Sequence, residues 1–387
     1  MDALSTRTQV EGVCERRFEG VKSLLQSFLD SGEELGANIV VNVDGEDVVD
    51  IWGGHADAEH TRKWEKDTIT NVWSTSKLIT SFAALKLISR GLLSPTEKVA
   101  TYWPEFGANG KENIEVRHIL SHTSGVSGWE KKMTIGDICD VPTATALLAQ
   151  QKPFWEPGTA SGYHSITLGH LIGELVLRTT GKTLNEFITE EIAAPVGADF
   201  RLGAAEKDWS RIADLAPPPY PAGPASMPSD SIPAKSMANP PVDARIACTA
   251  EWKRAKLGAV NGHANARGVV RILSAISCGG YVGQQQILKP ATVDLIFEEQ
   301  SRGKDLVVGE TLSFGIGYAL SARGMDTDWL PEGRICFWGG WGGSFVVMDL
   351  DRRVTIAYVM NKMENVGLGN NRTKAYIAAA YRALGVM

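Results

Sequence analysis

Ser74 and Lys77 stand three residues apart in NVWSTSKLIT, residues 71–80, between a strand-like lead-in and a long aliphatic run. On a helix, positions i and i+3 share one face about a turn apart, which brings the lysine nitrogen to the serine oxygen. A serine hydroxyl is a weak nucleophile until a neighbouring base takes its proton, and lysine can do so where burial favours its neutral amine. Helix onset adds free backbone N–H groups and a positive dipole end, which favour a developing oxyanion. These are the parts of an acyl-transfer site. The same four residues also suit an ordinary helix start, because serine is a common N-cap and lysine a common helix residue. Placement adds weight: Lys77 begins a run (Leu78, Ile79, Phe82, Leu85) that reads as buried, and unpaired lysines are rare on buried elements.

Two further stretches can serve the same chemistry. In EPGTASGYHSITLGHLIGE, Tyr163 follows a Gly-rich loop and precedes a helix, and a phenolate or phenol beside a lysine is a sensible proton relay. A tyrosine at such a junction also packs well with its hydroxyl in water. In FWGGWGGS, residues 337–344, four glycines at a strand margin let another backbone approach, and an N–H there can complete an oxyanion hole. A tight hairpin with glycine at positive φ fits these residues too. His118 and His122 share an i, i+4 spacing but lack the H-E-x-x-H pattern of a metal site. GVSGW at 125–129 does not fit the G-x-S-x-G elbow.

Elements at both chain ends must position these residues. From Glu15 to Asp30, apolar residues at Phe18, Val21, Leu25 and Phe28/Leu29 keep one helix face. ANIVVNVDGEDVVDIWGG reads as a hairpin about Asp44-Gly45. The helix after Ser74 runs to a stop at Gly91 and, being aliphatic, lies between other layers. From about 105 to 295 helical stretches alternate with long loops. Residues 216–241 hold nine of the 17 prolines and read as an irregular loop, at the substrate entrance or as a surface excursion. SFGIGYAL, RICFWGG, GSFVVMDL and RVTIAYVM then read as strands, and RTKAYIAAAYRAL as a closing helix. Strands at both ends with helices between imply one sheet built from the two termini.

Composition sets the outer bounds. At 387 residues, with 43% hydrophobic and 22% charged residues, the chain is an enzyme-sized globular protein. A net charge of −6 and a pI near 5.7 give no counter-charge to nucleic acid or an anionic membrane surface, so a small molecule is the expected partner. Five scattered cysteines without a C-x-x-C pair argue against a disulfide framework or a zinc site. The N-terminus is charged where a leader needs an apolar core, and no stretch approaches the ~18 apolar residues of a membrane span, so a cytoplasmic location is expected.

Read in order, WSTSKLITSFAALKLISRGLL, VRHILSHTSGV, EPGTASGYHSITLGHLIGELV, NARGVVRILSAISCGG and FWGGWGGSFVVMDLDRRVTIAYVMN resemble the serine β-lactamase-like family. The likeness runs from about residue 15 to 385. Within that family the chain is most similar to family VIII carboxylesterases, which resemble class C β-lactamases; fungal transesterases look like the same family. The resemblance implies an α/β fold with an all-helical insertion, an antiparallel sheet flanked by helices. It implies an α/β domain of residues 1–104 and 296–387, a mostly helical domain of 105–295, and an active site in the groove between them. Carried over by position, Ser74 is the nucleophile, Lys77 its general base and Tyr163 their partner. The backbone N–H groups of Ser74 and Trp341 form the oxyanion hole, and Trp338, Gly339 and Gly340 border the substrate.

Two departures carry information. Class C β-lactamases continue the second motif as Tyr-x-Asn, whereas this chain reads Tyr163-His164-Ser165. Where they have Lys-Thr-Gly, this chain has Trp338-Gly339-Gly340, like the W-G-G of family VIII esterases, so no cation awaits the carboxylate of a β-lactam. Ester cleavage fits that site better than antibiotic hydrolysis, with acyl transfer to an alcohol as the alternative. Trp129, Trp155, Trp338 and Trp341 are candidates for binding a bulky acceptor or for the core. The implied mechanism needs no metal or cofactor. The resemblance also implies that the His118–His122 stretch is a structural turn.

Overall fold

In the computed structural model, which describes residues 8–219 and 227–387, the two ends of the chain meet in one nine-stranded antiparallel sheet. The N-terminal end supplies β1 (Glu11–Cys14), β2 (Gly36–Val43) and β3 (Glu46–Gly54). The C-terminal end supplies β4 (Ser301–Lys304), β5 (Thr311–Phe314), β6 (Ala319–Leu320), β7 (Ile335–Gly339), β8 (Phe345–Asp349) and β9 (Val354–Met360). Their spatial order is β1-β3-β2-β9-β8-β7-β6-β5-β4. The β2–β3 hairpin turns at Asp44 (φ +53°) and Gly45 (φ +90°), the pair of positive φ values that a two-residue hairpin needs.

Helices cover both faces of the sheet, which is why β9 is buried along its whole length. Successive strand side chains point to opposite faces. Tyr358 meets Tyr376 of α5 (Asn371–Ala383) at 5.0 Å between ring centroids, and α1 (Glu19–Ser31) packs beside α5. Thr355, three residues earlier and on the other face, hydrogen-bonds Ser277 of α4 (Ala266–Ser277) at 2.8 Å. Behind α4 runs α2 (Ser76–Ser89), every residue of which is buried except Ile88. Burying Leu78, Ile79, Phe82 and Leu85 contributes roughly 1.5–3 kcal/mol each, enough to hold a polar passenger in the same helix. Gly91, at φ +74°, ends it in the left-handed C′ conformation. α3 (Thr167–Thr180) packs against α2.

Several expectations are corrected. SFGIGYAL is not one strand: β5 and β6 are separated by a bend at Gly315, where a Cβ would overlap the Ile296 carbonyl, and Gly317 at φ +90°. β1 and β4, the two edge strands, carry no apolar alternation and were not legible as strands. α4, grouped by sequence with the helical region, lies instead on β2, β8 and β9, because its apolar face matches theirs. The region also contributes strand: Gly262–Ala264 pairs with Phe200–Leu202 and with Thr70–Asn71 just before Ser74. In the proline-rich stretch a six-residue helix forms at Ile232–Met237, with Pro233 in its first turn and Ser231 capping it, an arrangement that needs no proline N–H. Residues 220–226 of that stretch, and the first seven residues read above for a leader, lie outside the described residues. Among the described residues no helix is long and apolar enough to cross a membrane.

Candidate active site

Ser74 is not a helix cap. It sits in the 3₁₀ turn Trp73–Thr75 that leads into α2, and no side chain caps that helix. Trp73 holds φ at +46°, a left-handed conformation costing a bulky L-residue of order 1–3 kcal/mol. The surroundings enforce it. The Trp73 ring is packed against Trp252 (5.6 Å) and Trp341 (5.1 Å). Ser76, the motif's other hydroxyl, donates to the Trp73 carbonyl and accepts the Gly262 N–H at 2.7 Å, tying the turn to the neighbouring strand. Sequence reasoning assigned Ser76 no role.

Lys77 points from the first turn of α2 back to Ser74, at 3.0 Å between Nζ and Oγ. Its other neighbours are the carbonyls of Ser165 (2.7 Å) and Ala259 (3.0 Å). The residue is 2% exposed and none of these contacts is a carboxylate, so burial drives its pKa well down. A neutral amine has two N–H bonds and one lone pair. With the two hydrogens on two carbonyls, the lone pair faces the Ser74 hydroxyl, which is the geometry of a general base.

Tyr163 completes the group. Its ring lies 4.6 Å from the Lys77 nitrogen, and its hydroxyl contacts Ser74 while accepting the Trp338 indole N–H at 3.2 Å. Burial raises its pKa first, the Ser74 and Trp338 contacts lower it, and Asp305 raises it, with a net upward shift. The hydroxyl therefore stays a phenol at neutral pH, and the phenolate form has no support. Asp305, which sequence reasoning missed, fixes the backbone here: one carboxylate oxygen accepts the N–H groups of Tyr163 (3.0 Å), Val307 (2.9 Å) and Val308 (3.0 Å). An aspartate 142 residues away leaves no local signal.

The two histidines support this arrangement. His118 accepts the Glu115 N–H in a capping box, and His122 accepts the His164 N–H at 3.0 Å. The His122 ring packs on Tyr163 at 5.1 Å and on Phe314 at 5.0 Å. Burial, then His164 and Lys77, push its pKa well down, so it stands against the lysine without charge.

The end of β7 forms the facing wall. Gly340 lies so close to the turn that carries Ser74 that a Cβ would overlap the Val72 carbonyl and the Ser344 hydroxyl. Ser344 hydrogen-bonds both the Val72 carbonyl (3.1 Å) and the Thr75 hydroxyl (3.0 Å), stapling residues 340–344 to the turn that carries Ser74. Glycine is required at 340 for this close approach. Gly340→Ala is expected to lower kcat on the order of 100-fold through displacement of the Trp341 backbone, read by steady-state ester hydrolysis.

These groups open onto one cavity of about 220 Å³, bordered by Ser74, Tyr163, Trp338, Gly339, Gly340 and Trp341. Trp73, Trp252, Met237 and Val242 also line it, so the proline-rich stretch does reach the cavity. Neither Trp129 nor Trp155 lines it. Trp129 is buried with its N–H on the Ala144 carbonyl, and Trp155 bonds the Ala160 carbonyl. Among the described residues that line the cavity there is no lysine, arginine or histidine, and one carboxylate, Glu310.

The family model described as Beta-lactamase matches residues 21–381. The chain belongs to the beta-lactamase family. It is 30% identical over 370 residues to the esterase/beta-lactamase LipL of Mycobacterium tuberculosis, covering 92% of this chain and 83% of that protein. The crystal structure of a family VIII carboxylesterase matches at TM-score 0.90 and 34% identity, over 97% of this chain and 99% of the other. A penicillin-binding protein homologue from Caulobacter crescentus matches at TM-score 0.88 and 33% identity, over 97% and 99%. Ser165 contacts Lys77 through its main-chain carbonyl, a bond that any residue there can make. The Trp338 indole, at the edge of the same cavity, donates to the Tyr163 hydroxyl.

Proposed function

We propose that the chain is a serine hydrolase of small carboxylic esters, working through an acyl-enzyme on Ser74. The observation that carries the reading is the Lys77 nitrogen, buried without a carboxylate partner so that its pKa is driven well down, and 3.0 Å from the Ser74 oxygen. Lys77 takes the hydroxyl proton as the oxygen attacks the acyl carbonyl, and the Ser74 and Trp341 N–H groups hold the oxyanion. The proton then passes through Tyr163 to the leaving alkoxide. Water, deprotonated by the same pair, releases the acid. Tyr163→Phe keeps the ring packing but removes the relay, and a loss of about 10²–10⁴-fold in kcat with little change in KM is expected in steady-state assays.

The cavity walls favour esters over β-lactams, because a desolvated carboxylate needs a counter-charge and the described residues of the lining offer none. The tryptophans of the lining also favour a second reading, transfer of the acyl group to an organic alcohol that excludes water. Intact-mass measurement across esters, thioesters and lactams tests the first reading: ester adducts support it, and adducts from lactams alone would overturn it. Partitioning of a labelled acyl group between water and added alcohols tests the second; free acid as the sole product removes it. The reading places the chain in the cytoplasm, in keeping with its five free cysteines.

A further inference from the structure

Glu310 is the one charged side chain among the described residues lining the Ser74 cavity, and its carboxylate has neither an ion pair nor a hydrogen bond there. Its carboxylate lies against Gly367, where a Cβ would come 2.6 Å from Oε1, and residues 366–368 border the same cavity. The nearest fixed charges are mostly of its own sign. Burial first, then Asp326 and Asp305, push the Glu310 pKa up, and Lys374 alone pulls it down. Asp305, behind the cavity lining, keeps one carboxylate oxygen buried and without a hydrogen-bond partner. The lysine is drawn elsewhere, with its nitrogen 5.7 Å from the Trp329 ring centroid.

An unpaired carboxylate in a cavity that Trp338 and Trp341 also line is suited to a cation. Ammonium groups are attracted both to aromatic faces and to a carboxylate, whereas an anion entering the same space meets like charge with no donor to offset it. We propose that Glu310 selects esters that carry an ammonium group and turns away esters that carry a carboxylate. This rests on the ester-hydrolase reading above and names its substrate class.

The test uses p-nitrophenyl esters whose acyl chains end in trimethylammonium, in tert-butyl of the same shape, or in carboxylate, with a second set bearing these groups on the alcohol. In one of the two sets the intact protein is expected to favour ammonium over tert-butyl by about tenfold in kcat/KM, and to disfavour carboxylate by at least as much, the size of one charge-assisted contact. Glu310→Gln is expected to bring the ammonium to tert-butyl ratio to within about threefold of unity. A ratio that is unchanged in the Gln variant, or near unity in the intact protein in both sets, overturns the proposal. Calorimetric binding of the same esters to Ser74→Ala separates the two readings. The ammonium preference in Kd without turnover by the intact protein sinks the hydrolase reading alone. Turnover without any preference sinks the Glu310 assignment alone.

Discussion

Ser74→Ala is expected to lower kcat for a p-nitrophenyl ester by on the order of 10⁴- to 10⁶-fold, the scale on which a nucleophile acting as one unit with its base is lost. The fold should survive. The Ser74 side chain neither caps α2 nor packs in the core, and its contacts are those with Lys77 and Tyr163. Thermal unfolding of the variant is expected within about 1 kcal/mol of the parent, one modest hydrogen bond. Retention of near-parent esterase rates in a folded Ser74→Ala protein would sink the nucleophile assignment.

Lys77→Met carries the second large effect, and it reads out in two ways. The loss of kcat should match that of Ser74→Ala, and the double variant should be no worse than either, because base and nucleophile act together. The stability readout follows from linkage. Burial holds the folded Lys77 pKa well down, while the unfolded lysine keeps its proton to about pH 10.4. Between those two values the unfolded chain binds the extra proton, so the parent gains stability as pH rises, by about 1.4 kcal/mol per pH unit from this one group. The Met variant lacks that slope. Lys111, whose pKa burial lowers to about 8, adds the same dependence to both proteins and cancels in the difference. Urea unfolding from pH 8 to 10 checks this, and parallel curves for the two proteins would contradict a neutral, buried Lys77.

What was legible in the sequence is what local chemistry and periodicity encode. The Asp44-Gly45 turn, the aliphatic run of α2 with its stop at Gly91, and the β-branched strands at the C-terminal end each follow from side chains a few residues apart. Ser74, Lys77, Tyr163 and the Trp338–Trp341 glycine run were legible as motifs; the fold brings all but Lys77 to the wall of one cavity, with Lys77 behind Ser74. Other determinants act only across the fold. Asp305 reaches Tyr163 over a long chain separation, Ser76 matters because Gly262 comes beside it, and Trp73, on a left-handed backbone, meets Trp252 in the cavity lining from a distant part of the chain. The edge strands β1 and β4 escaped notice because half-exposed strands need no apolar period, and SFGIGYAL hid its bend because Gly315 is required by a distant carbonyl.

The central claim is a covalent intermediate on Ser74. Rapid-quench intact-mass measurement with a slowly deacylating p-nitrophenyl ester, followed by peptide mapping, tests it directly. The predicted result is one acyl adduct per chain on the peptide that carries Ser74, formed at the rate of the p-nitrophenol burst and absent in Ser74→Ala. Steady ester turnover with no adduct on that serine, or with the adduct on another residue, would contradict it.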